Sequence, residues 1–250
     1  MPQVDLNADV GERDEPDGGD DRLLDHVTSA SVACGGHAGT AAVMAEVVAG
    51  ALARGVVVGA HPSYPDRPGF GRRPMVLDPH QLADELVGQI GALVDVATAV
   101  GTRVRYVKAH GALYNAMAAD TELATVVARA VRAIGDLVVL VQAGSAAAPA
   151  VSAAGLTVAL EGFCDRAYEP GGRLTPRSRP GAVVTDPAAA AARAVSLACR
   201  GGIEAVDGGW VPLAVDSVCL HGDTPGAAAV AAAVRQALAD AGVTVTAFAR

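Results

Sequence analysis

Lys108 is the only lysine of the chain, and it lies where an apolar, strand-like run ends, two residues before His110. Every other basic position of the 19 Lys+Arg is an arginine. Arginine stays charged as a broad planar fork, whereas lysine is a compact point charge whose pKa responds to burial. The single lysine therefore predicts a site that needs an ammonium, for example to stabilise an oxyanion or a phosphoryl group.

Side chains suited to acid–base, anion-binding or ligand chemistry recur where other apolar runs end. Four of the six histidines lie at such ends, whereas His26 and His80 have the surroundings of ordinary helical or surface residues. In a β/α barrel the carboxyl ends of all strands meet on one face, so these side chains are expected to share one cleft. The set comprises Asn7, Asp9, Glu12, His37, His61, Lys108, His110, Gln142, Glu161, Asp165, Arg166, His221 and Asp223.

Roles within this cleft follow from residue type. Lys108 would stabilise developing negative charge. Either Asp9 or His110 would be the base that activates water, and spacing leaves this choice open. Arg166 would bind a carboxylate or a phosphate bidentately. The catalytic residues are thus predicted to be Lys108, His110, Asp9 and His61. The predicted substrate-binding residues are Asn7, Glu12, His37, Arg166, His221 and Asp223.

The elements that must position these side chains alternate along the chain. Short β-branched runs alternate with longer alanine-rich segments, which is typical of a parallel sheet covered by helices. Thr40, Asp78, Asp120 and Asp186 precede helical patterns as N-caps. The predicted helices cover residues 40–54, 78–100, 121–134, 187–200 and 227–241. The predicted strands cover residues 4–8, 31–34, 56–60, 104–108, 137–142, 156–160 and 217–220, and residues 243–248 would be a last strand that closes the barrel.

This pattern predicts an α/β fold, a TIM-like (β/α) barrel of about seven parallel strands that residues 1–250 form as a single domain. Hydrophobic residues make up 51% of the chain but aromatic residues only 3%, so the core must be built mainly from alanine, valine and leucine. The net charge of −8 argues against a nucleic-acid partner or an anionic membrane.

Targeting signals and membrane segments are not evident in the sequence. The N-terminus has no basic region followed by an apolar one, as a secretion signal would. Residues 137–160 carry no charge, but glycine, proline and polar residues divide them into a strand, a short helix and another strand. The four cysteines form no CxxC pair. We therefore expect a cytoplasmic protein that does not enter the membrane.

Six segments, in order and spacing, resemble the signatures of the LamB/YcsF family, the A subunits of 5-oxoprolinase. The resemblance extends from about residue 3 to the C-terminus, and Gly36, Thr40 and Ala109 depart from the usual Phe, Asp and Pro. The segments are residues 5–12 (DLNADVGE), 33–39 (ACGGHAG), 59–67 with 69–73 (GAHPSYPDR, GFGRR), 107–115 (VKAHGALYN), 161–168 (EGFCDRAY) and 221–226 (HGDTPG).

The resemblance implies ATP-dependent hydrolysis of 5-oxo-L-proline (pyroglutamate) to L-glutamate. ATP, together with Mg²⁺, would be a co-substrate, and two partner subunits, B and C, would complete the enzyme. The resemblance also implies a barrel related to the polysaccharide-deacetylase-like fold. A γ-lactam is an unstrained amide with a poor leaving group, so phosphorylation of its oxygen would open the carbon to water.

Two loops are candidates for contacts with anions or partners. The chain has no GxxxxGK[ST] phosphate-binding loop. Residues 221–226 follow a strand and precede a helix, with Pro225 suited to the first helical turn, so they are a candidate anion site as well as an ordinary capped turn. Residues 166–181 are rich in arginine, glycine and proline, and a solvated loop of this length fits a lid or a partner-docking segment.

Two other functions are compatible with the same residues. The first is a metal-dependent deacetylase or amidohydrolase, because a carboxylate with two histidines from later strands is a plausible ligand set. The second is a non-catalytic subunit that binds substrate for its partners. The candidate metal ligands are Asp5, Asp9, His37, His61 and His110.

Overall fold

A closed barrel of parallel strands forms the centre of this computed structural model, which describes residues 2–224 and 226–249. The strands are Gln3–Val10 (β1), Ser29–Ala33 (β2), Val57–His61 (β3), Val104–Val107 (β4), Val138–Gln142 (β5), Val158–Phe163 (β6), Gly202–Glu204 (β7), Trp210–Pro212 (β8), Ser217–His221 (β9) and Thr244–Val245 (β10). Seven of them follow one another around the barrel as β1-β2-β3-β4-β5-β6-β9, and β9 pairs with β1 to close it. The predicted TIM-like barrel is confirmed.

The helices cover the outside of the barrel. Thr40, Asp78, Asp120 and Asp186 each accept a hydrogen bond from a backbone N–H of the first helical turn, as predicted for N-caps. Among the described helices, none is long and apolar enough to cross a membrane. The helices are Asp21–Leu24 (α1), Ala41–Arg54 (α2), Pro79–Val100 (α3), Gly111–Met117 (α4), Thr121–Ile134 (α5), Ala147–Ala153 (α6), Pro187–Val195 (α7, continued as a π-helical turn over Ser196–Arg200) and Ala227–Asp240 (α8).

The strand that closes the barrel differs from the sequence-based expectation. Residues 243–248 were expected to close it, but β10 spans two residues and pairs only with Gln3 and Val4 at the start of β1. From Asp5 to Asp9 that edge of β1 is occupied by β9. The neighbouring β7 and β8 form a separate antiparallel pair. Residues near the C-terminus therefore find a free edge of β1 only at its beginning.

Two strands run further than predicted, and this places polar side chains inside the barrel. β1 continues to Val10, so Asp9 lies within the strand, as Asn7 does, rather than after it. β6 continues to Phe163 and includes Glu161. Side chains alternate between the faces of a strand. Asp5, Asn7 and Asp9 therefore form one row, and all are buried.

One aromatic ring, that of Tyr106, fills part of the barrel interior. Tyr106 on β4 is fully buried, and its hydroxyl lies 3.0 Å from Oγ of Ser31. Gly59 on β3 is the register partner of Tyr106, and a Cβ atom at this position would overlap the tyrosine ring. Gly59 thus makes room for the ring.

Substitution of Gly59 by alanine is expected to lower the free energy of unfolding by about 1–3 kcal/mol, because the ring cannot move within a packed core. Gly88 in α3 is the matched control, since a Cβ there meets nothing within 4 Å. Gly88→Ala should raise the free energy of unfolding by up to about 1 kcal/mol. Urea denaturation of both variants checks this pair, and destabilisation of equal size in both would contradict it.

Candidate active site

The polar side chains predicted to share one cleft do meet at the carboxyl ends of the barrel strands. His61 ends β3, His221 ends β9, and Lys108 directly follows β4. The contact between His61 Nε2 and His110 Nδ1 measures 3.0 Å and joins residues 49 positions apart in the chain. The barrel thus brings together groups that are distant in sequence.

The Lys108 ammonium is surrounded by acceptors. Its Nζ lies 2.8 Å from Asp9 Oδ1, 2.9 Å from Glu161 Oε1, 3.3 Å from Asn7 Oδ1 and 3.0 Å from the Cys219 sulfur. Only 2% of the lysine is exposed. Burial alone would lower the pKa of Lys108, but Asp9, Cys219 and Glu161 together outweigh it and hold the pKa well above its usual value. Lys108 is therefore a charged, desolvated ammonium.

Glu161 is the second carboxylate beside this ammonium, and all its contacts are donors. Asn7 donates from Nδ2 to Glu161 Oε1 at 3.0 Å, and Tyr114 donates its hydroxyl proton to Oε2 at 2.7 Å. Asn7 also donates to Oγ of Ser217 at 2.7 Å. The amide of Asn7, predicted to bind substrate, is thus used within the protein to hold Glu161 and Lys108.

A cluster of three imidazoles and one carboxylate lies beside the lysine. Glu12 Oε1 is 3.1 Å from His37 Nε2, 3.2 Å from His110 Nδ1 and 3.9 Å from His61 Nε2. The His37 and His110 rings stack with centroids 3.7 Å apart. Burial would raise the pKa of Glu12, but the close imidazoles of His110 and His37 hold it below its usual range. Burial lowers the pKa of both imidazoles.

A cavity of about 830 Å³ opens onto these groups. Three of the predicted residues, Asn7, Glu12 and His37, do not line this cavity. Each of them contacts a residue that does. A cavity this size is in the range that takes small-molecule ligands. The residues predicted for the cleft that line it are Asp9, His61, Lys108, His110, Gln142, Arg166 and His221, joined by Arg72, Tyr114, Arg173 and Arg177.

Arg166 was predicted to bind a carboxylate or a phosphate bidentately, but its guanidinium is bonded within its own loop. Its Nε donates to the carbonyl of Ala182 at 3.2 Å, and its Nη2 donates to the carbonyl of Thr175 at 2.6 Å. Burial, and repulsion from Arg177, lower the pKa of Arg166 to about 10. Arg166 therefore holds its own loop, residues 166–182, against the barrel. Residues 170–177 of this loop line the cavity.

Asp223 and His221 also take protein partners. Asp223 pairs with Arg72 at 2.6 Å and lies 3.7 Å from Arg177, so its carboxylate positions two arginines of the cavity rim. His221 Nδ1 lies 2.9 Å from Asp165 Oδ2, and the same oxygen accepts a bond from the His221 backbone N–H. The carboxylate of Asp223 is thus paired with arginines of the protein. Pro225, expected in the first turn of α8, lies outside the described residues.

Asp5 lies apart from the metal-ligand candidates. Thr28, Ser29 and Ser217 donate their hydroxyl protons to its carboxylate. The four side chains whose ligand atoms converge within 4.8 Å are instead Glu12, His37, His61 and His110. Asp5 therefore lies outside the group whose ligand atoms converge, and Glu12 lies within it. Asp9 Oδ2 remains close, at 3.4 Å from His61 Nε2.

Asp5→Asn is expected to change the pH dependence of stability. Burial, only partly offset by the three hydroxyl donors, raises the pKa of Asp5 from 3.8 to about 6. Because the folded state then binds more protons than the unfolded one between about pH 4 and 6, stability falls as pH rises through this window. Relative to wild type, the free energy of unfolding of the variant should therefore rise by up to about 3 kcal/mol as the pH increases from 4 to 7. Urea denaturation at several pH values measures this, and a pH-independent difference would contradict it.

Tyr114 and Cys219 were not predicted as site residues from the sequence, and Glu161 was placed in the cleft without a role. Glu161 carried the available signal, because it stands at a strand end like the others. Tyr114 lies in α4, and nothing in its local pattern distinguishes it from a core tyrosine. Cys219 lies within an apolar strand and reads as a small core residue. Only the three-dimensional pairing with Lys108 and Glu161 identifies the last two.

Comparison with known proteins agrees with this architecture. The family model described as LamB/YcsF family matches residues 4–250. The 5-oxoprolinase A subunit of Methylococcus capsulatus is 51% identical over 98% of this chain and 95% of that protein. The crystal structure of a lactam utilization protein from Thermus thermophilus superposes with a TM-score of 0.92 at 45% identity, covering 98% of this chain and all of that one.

A more distant likeness confirms the predicted deacetylase-like fold. The structure of T48 deacetylase superposes with a TM-score of 0.53 at 13% identity, covering 98% of this chain and 87% of that one. At this identity the likeness concerns the fold alone. The family match over nearly the whole sequence and the close relatives lead to a narrower conclusion. The chain belongs to the LamB/YcsF family.

Proposed function

We propose that this chain carries the hydrolytic site of an ATP-dependent 5-oxoprolinase, which opens 5-oxo-L-proline to L-glutamate together with two partner subunits, B and C. ATP, with Mg²⁺, is consumed as co-substrate. The observation that carries the proposal is the buried Lys108–Asp9 pair in the wall of a cavity whose other charged side chains are mostly arginines. The name of the Methylococcus relative supports the substrate and the organisation in several subunits.

The rim arginines supply the positive charge that an anionic substrate needs. Arg72, Arg173 and Arg177 all line the cavity, and Arg72 lies 4.7 Å from the centroid of the Phe70 ring. Guanidinium groups bind carboxylates and phosphates through paired N–H donors. We assign to these arginines the substrate carboxylate and the phosphoryl group that ATP places on the lactam oxygen. Arg166, with its own bonds in the loop, is not needed for this role.

Lys108 would act on the charge that develops at the reacting carbon. An ammonium has three N–H donors, and four protein acceptors already lie near Nζ. The Cys219 sulfur is the weakest of these acceptors, so a substrate oxygen can replace it without loss of the two carboxylates. The ammonium charge is desolvated, which strengthens its effect on an oxyanion or a phosphoryl oxygen.

Asp9 is our choice for orienting the attacking water. It lines the cavity, and burial alone would raise its pKa, but His61 and Lys108 hold the pKa well below its usual value. It is therefore ionised at neutral pH and accepts a hydrogen bond from water. His110, the other candidate base, has its Nδ1 directed at Glu12 and His61. Water then adds to the activated carbon, and the ring C–N bond breaks as the leaving amine takes a proton. The γ-glutamyl phosphate that results is hydrolysed by a second water to glutamate and inorganic phosphate.

A reconstituted assay tests this function. Glutamate formation from 5-oxo-L-proline is measured with this chain alone, with the partner subunits alone and with all three, each with and without ATP and Mg²⁺. Turnover is expected only when all components are present. Efficient ATP-independent turnover by this chain alone would overturn the proposal and favour a metal-dependent amidohydrolase. Full activity of the partners without this chain would leave it no catalytic role.

A metal-dependent amidohydrolase is the second candidate function, and one observation favours it. Ligand atoms of Glu12, His37, His61 and His110 converge within 4.8 Å. Metal binding by itself is compatible with either function. The ATP dependence in the assay above separates the two.

A further inference from the structure

Two buried imidazole nitrogens face each other without a proton between them when both rings are neutral. His61 Nδ1 lies 2.8 Å from the backbone carbonyl of Lys108, and His110 Nε2 lies 3.0 Å from the carbonyl of Phe70. Since a carbonyl oxygen only accepts, these two nitrogens carry the protons and donate them. His61 Nε2 and His110 Nδ1 therefore present lone pairs to each other across 3.0 Å. A positive species is needed between them.

The surrounding carboxylate completes the arrangement that a metal ion requires. Glu12 Oε1 lies 3.2 Å from His110 Nδ1 and 3.9 Å from His61 Nε2. Ligand atoms on a tetrahedral zinc ion, with bonds of about 2.0–2.1 Å, are about 3.4 Å apart. The three observed separations, 3.0, 3.2 and 3.9 Å, bracket this value. The N–H groups donated to backbone carbonyls are the outer contacts that ligating histidines use to hold their rings.

The charges of this region also favour a divalent cation. Asp9 and Glu161 are buried, and the side chain of Glu12 is only 6% exposed. In the part of the chain that the structure describes, Lys108 is the only permanently charged cation within 4 Å of any of them. Three carboxylates and one ammonium leave two negative charges unbalanced in a desolvated site, which is costly. A divalent ion would balance them.

His37 fits a supporting role better than a ligand role. Its Nδ1 is buried and has no partner among the described residues, so a metal on Nε2 would leave an unsatisfied N–H. With the proton on Nε2, His37 instead donates to Glu12 at 3.1 Å. His61 and His110 line the cavity, whereas Glu12 lies behind them. Three protein ligands with one side toward a cavity are the pattern of sites that keep a coordination position open.

We propose that Glu12, His61 and His110 bind one divalent transition-metal ion of the zinc type, with His37 positioning Glu12. Two nitrogens and one carboxylate oxygen are a ligand set that Zn²⁺ and Co²⁺ accept, whereas Mg²⁺ prefers oxygen ligands alone. The open position faces the cavity beside Asp9. A bound water there would be more acidic. The use of this water in lactam hydrolysis rests on the proposed function, but binding itself does not.

Metal binding is measured on the full chain without any turnover. The protein is purified without affinity metals, treated with EDTA, dialysed, and titrated with Zn²⁺ and Co²⁺ by calorimetry and visible absorption. We expect one equivalent per chain, and Co²⁺ bands of nitrogen and oxygen ligation without thiolate charge transfer. Glu12→Gln and His110→Gln should each weaken binding by roughly 100-fold or more, and His37→Gln by roughly 10–100-fold. His221→Gln, a histidine of the same cavity, is the matched control and should bind like wild type.

Three results would overturn this site. The first is that the wild-type chain binds neither ion. The second is that Glu12→Gln and His110→Gln, shown to be folded by circular dichroism, bind with unchanged affinity. The third is a Co²⁺ spectrum of the wild-type chain with thiolate bands, which would place the ion on cysteine instead. This spectrum decides the question if the variants do not fold. Because no substrate, ATP or partner is present, failure here leaves the proposed 5-oxoprolinase activity untouched.

Discussion

Lys108→Arg is expected to lower kcat of the three-subunit enzyme by at least about 10²-fold, nearly as much as Lys108→Ala, because one electrostatic contact of the transition state is lost. Four acceptors lie 2.8–3.3 Å from Nζ, so there is room for an ammonium but not for a planar guanidinium. A lysine on a solvated rim would tolerate arginine. Steady-state glutamate formation measures the effect.

The structure adds a stability cost that the position of Lys108 in the sequence does not reveal. Sequence reasoning alone suggests an unchanged melting curve for both variants. However, Lys108→Ala leaves the buried carboxylates of Asp9 and Glu161 without their cation, and breaking a buried ion pair typically costs about 3–5 kcal/mol. Activity must therefore be compared at temperatures where circular dichroism shows each variant folded.

Controls separate catalysis from charge. Arg54→Lys, in an exposed ion pair with Asp25, makes the reverse exchange far from the cavity and should leave kcat unchanged. Ethylammonium should restore part of the rate of Lys108→Ala, and guanidinium should not. Near-wild-type kcat in Lys108→Arg would show that the single lysine has no chemical role.

The second large effect is expected for Asp9→Asn, which keeps the side-chain shape and removes its charge. Loss of a group that orients and deprotonates the attacking water typically costs about 10²–10⁴-fold in rate. The substitution leaves the Lys108–Glu161 pair in place, so the ammonium stays in its position. We therefore expect kcat to fall while substrate binding through the rim arginines, and hence KM, changes little.

Asp5→Asn is the matched control for Asp9→Asn. Both aspartates lie on β1, point to the same side of the strand and are buried. Asp9 lines the cavity, whereas Asp5 is held by three hydroxyl groups deeper in the barrel. Asp5→Asn should keep activity near wild type. An Asp9→Asn enzyme within tenfold of wild type, or equal losses in both variants, would contradict the role of Asp9.

The fold was accessible from the sequence because its signals are local. Continuous apolar strands, N-caps such as Asp78 and Asp120, and polar residues at strand ends predict a parallel barrel with one polar face. The closing strand was not accessible in the same way. Whether residues 217–220 or 243–248 pair with β1 depends on which of them reaches its free edge, and that is decided by the packing of the whole barrel.

The sequence predicted which residues form the site better than it predicted their contacts. Residue type and strand-end position select Lys108, His61 and His110, which the structure does bring together. They do not show that Arg166 bonds to carbonyls of its own loop, or that Asp223 pairs with Arg72. The partners of Arg166 and Asp223 lie in segments whose local sequence pattern does not predict these contacts. Glu161 was likewise expected in the cleft, but its contacts with Lys108 and Tyr114 were not.

The most direct test of the central claim is a crystal structure of the chain, alone or with its partner subunits, bound to 5-oxo-L-proline. The claim is that the cavity beside Lys108 and Asp9 is where the lactam ring opens. We expect the lactam ring inside this cavity, with its carbonyl side toward Lys108 and Asp9 and its carboxylate toward Arg72, Arg173 or Arg177. A lactam bound at full occupancy elsewhere on the chain, with this cavity empty, would contradict the claim.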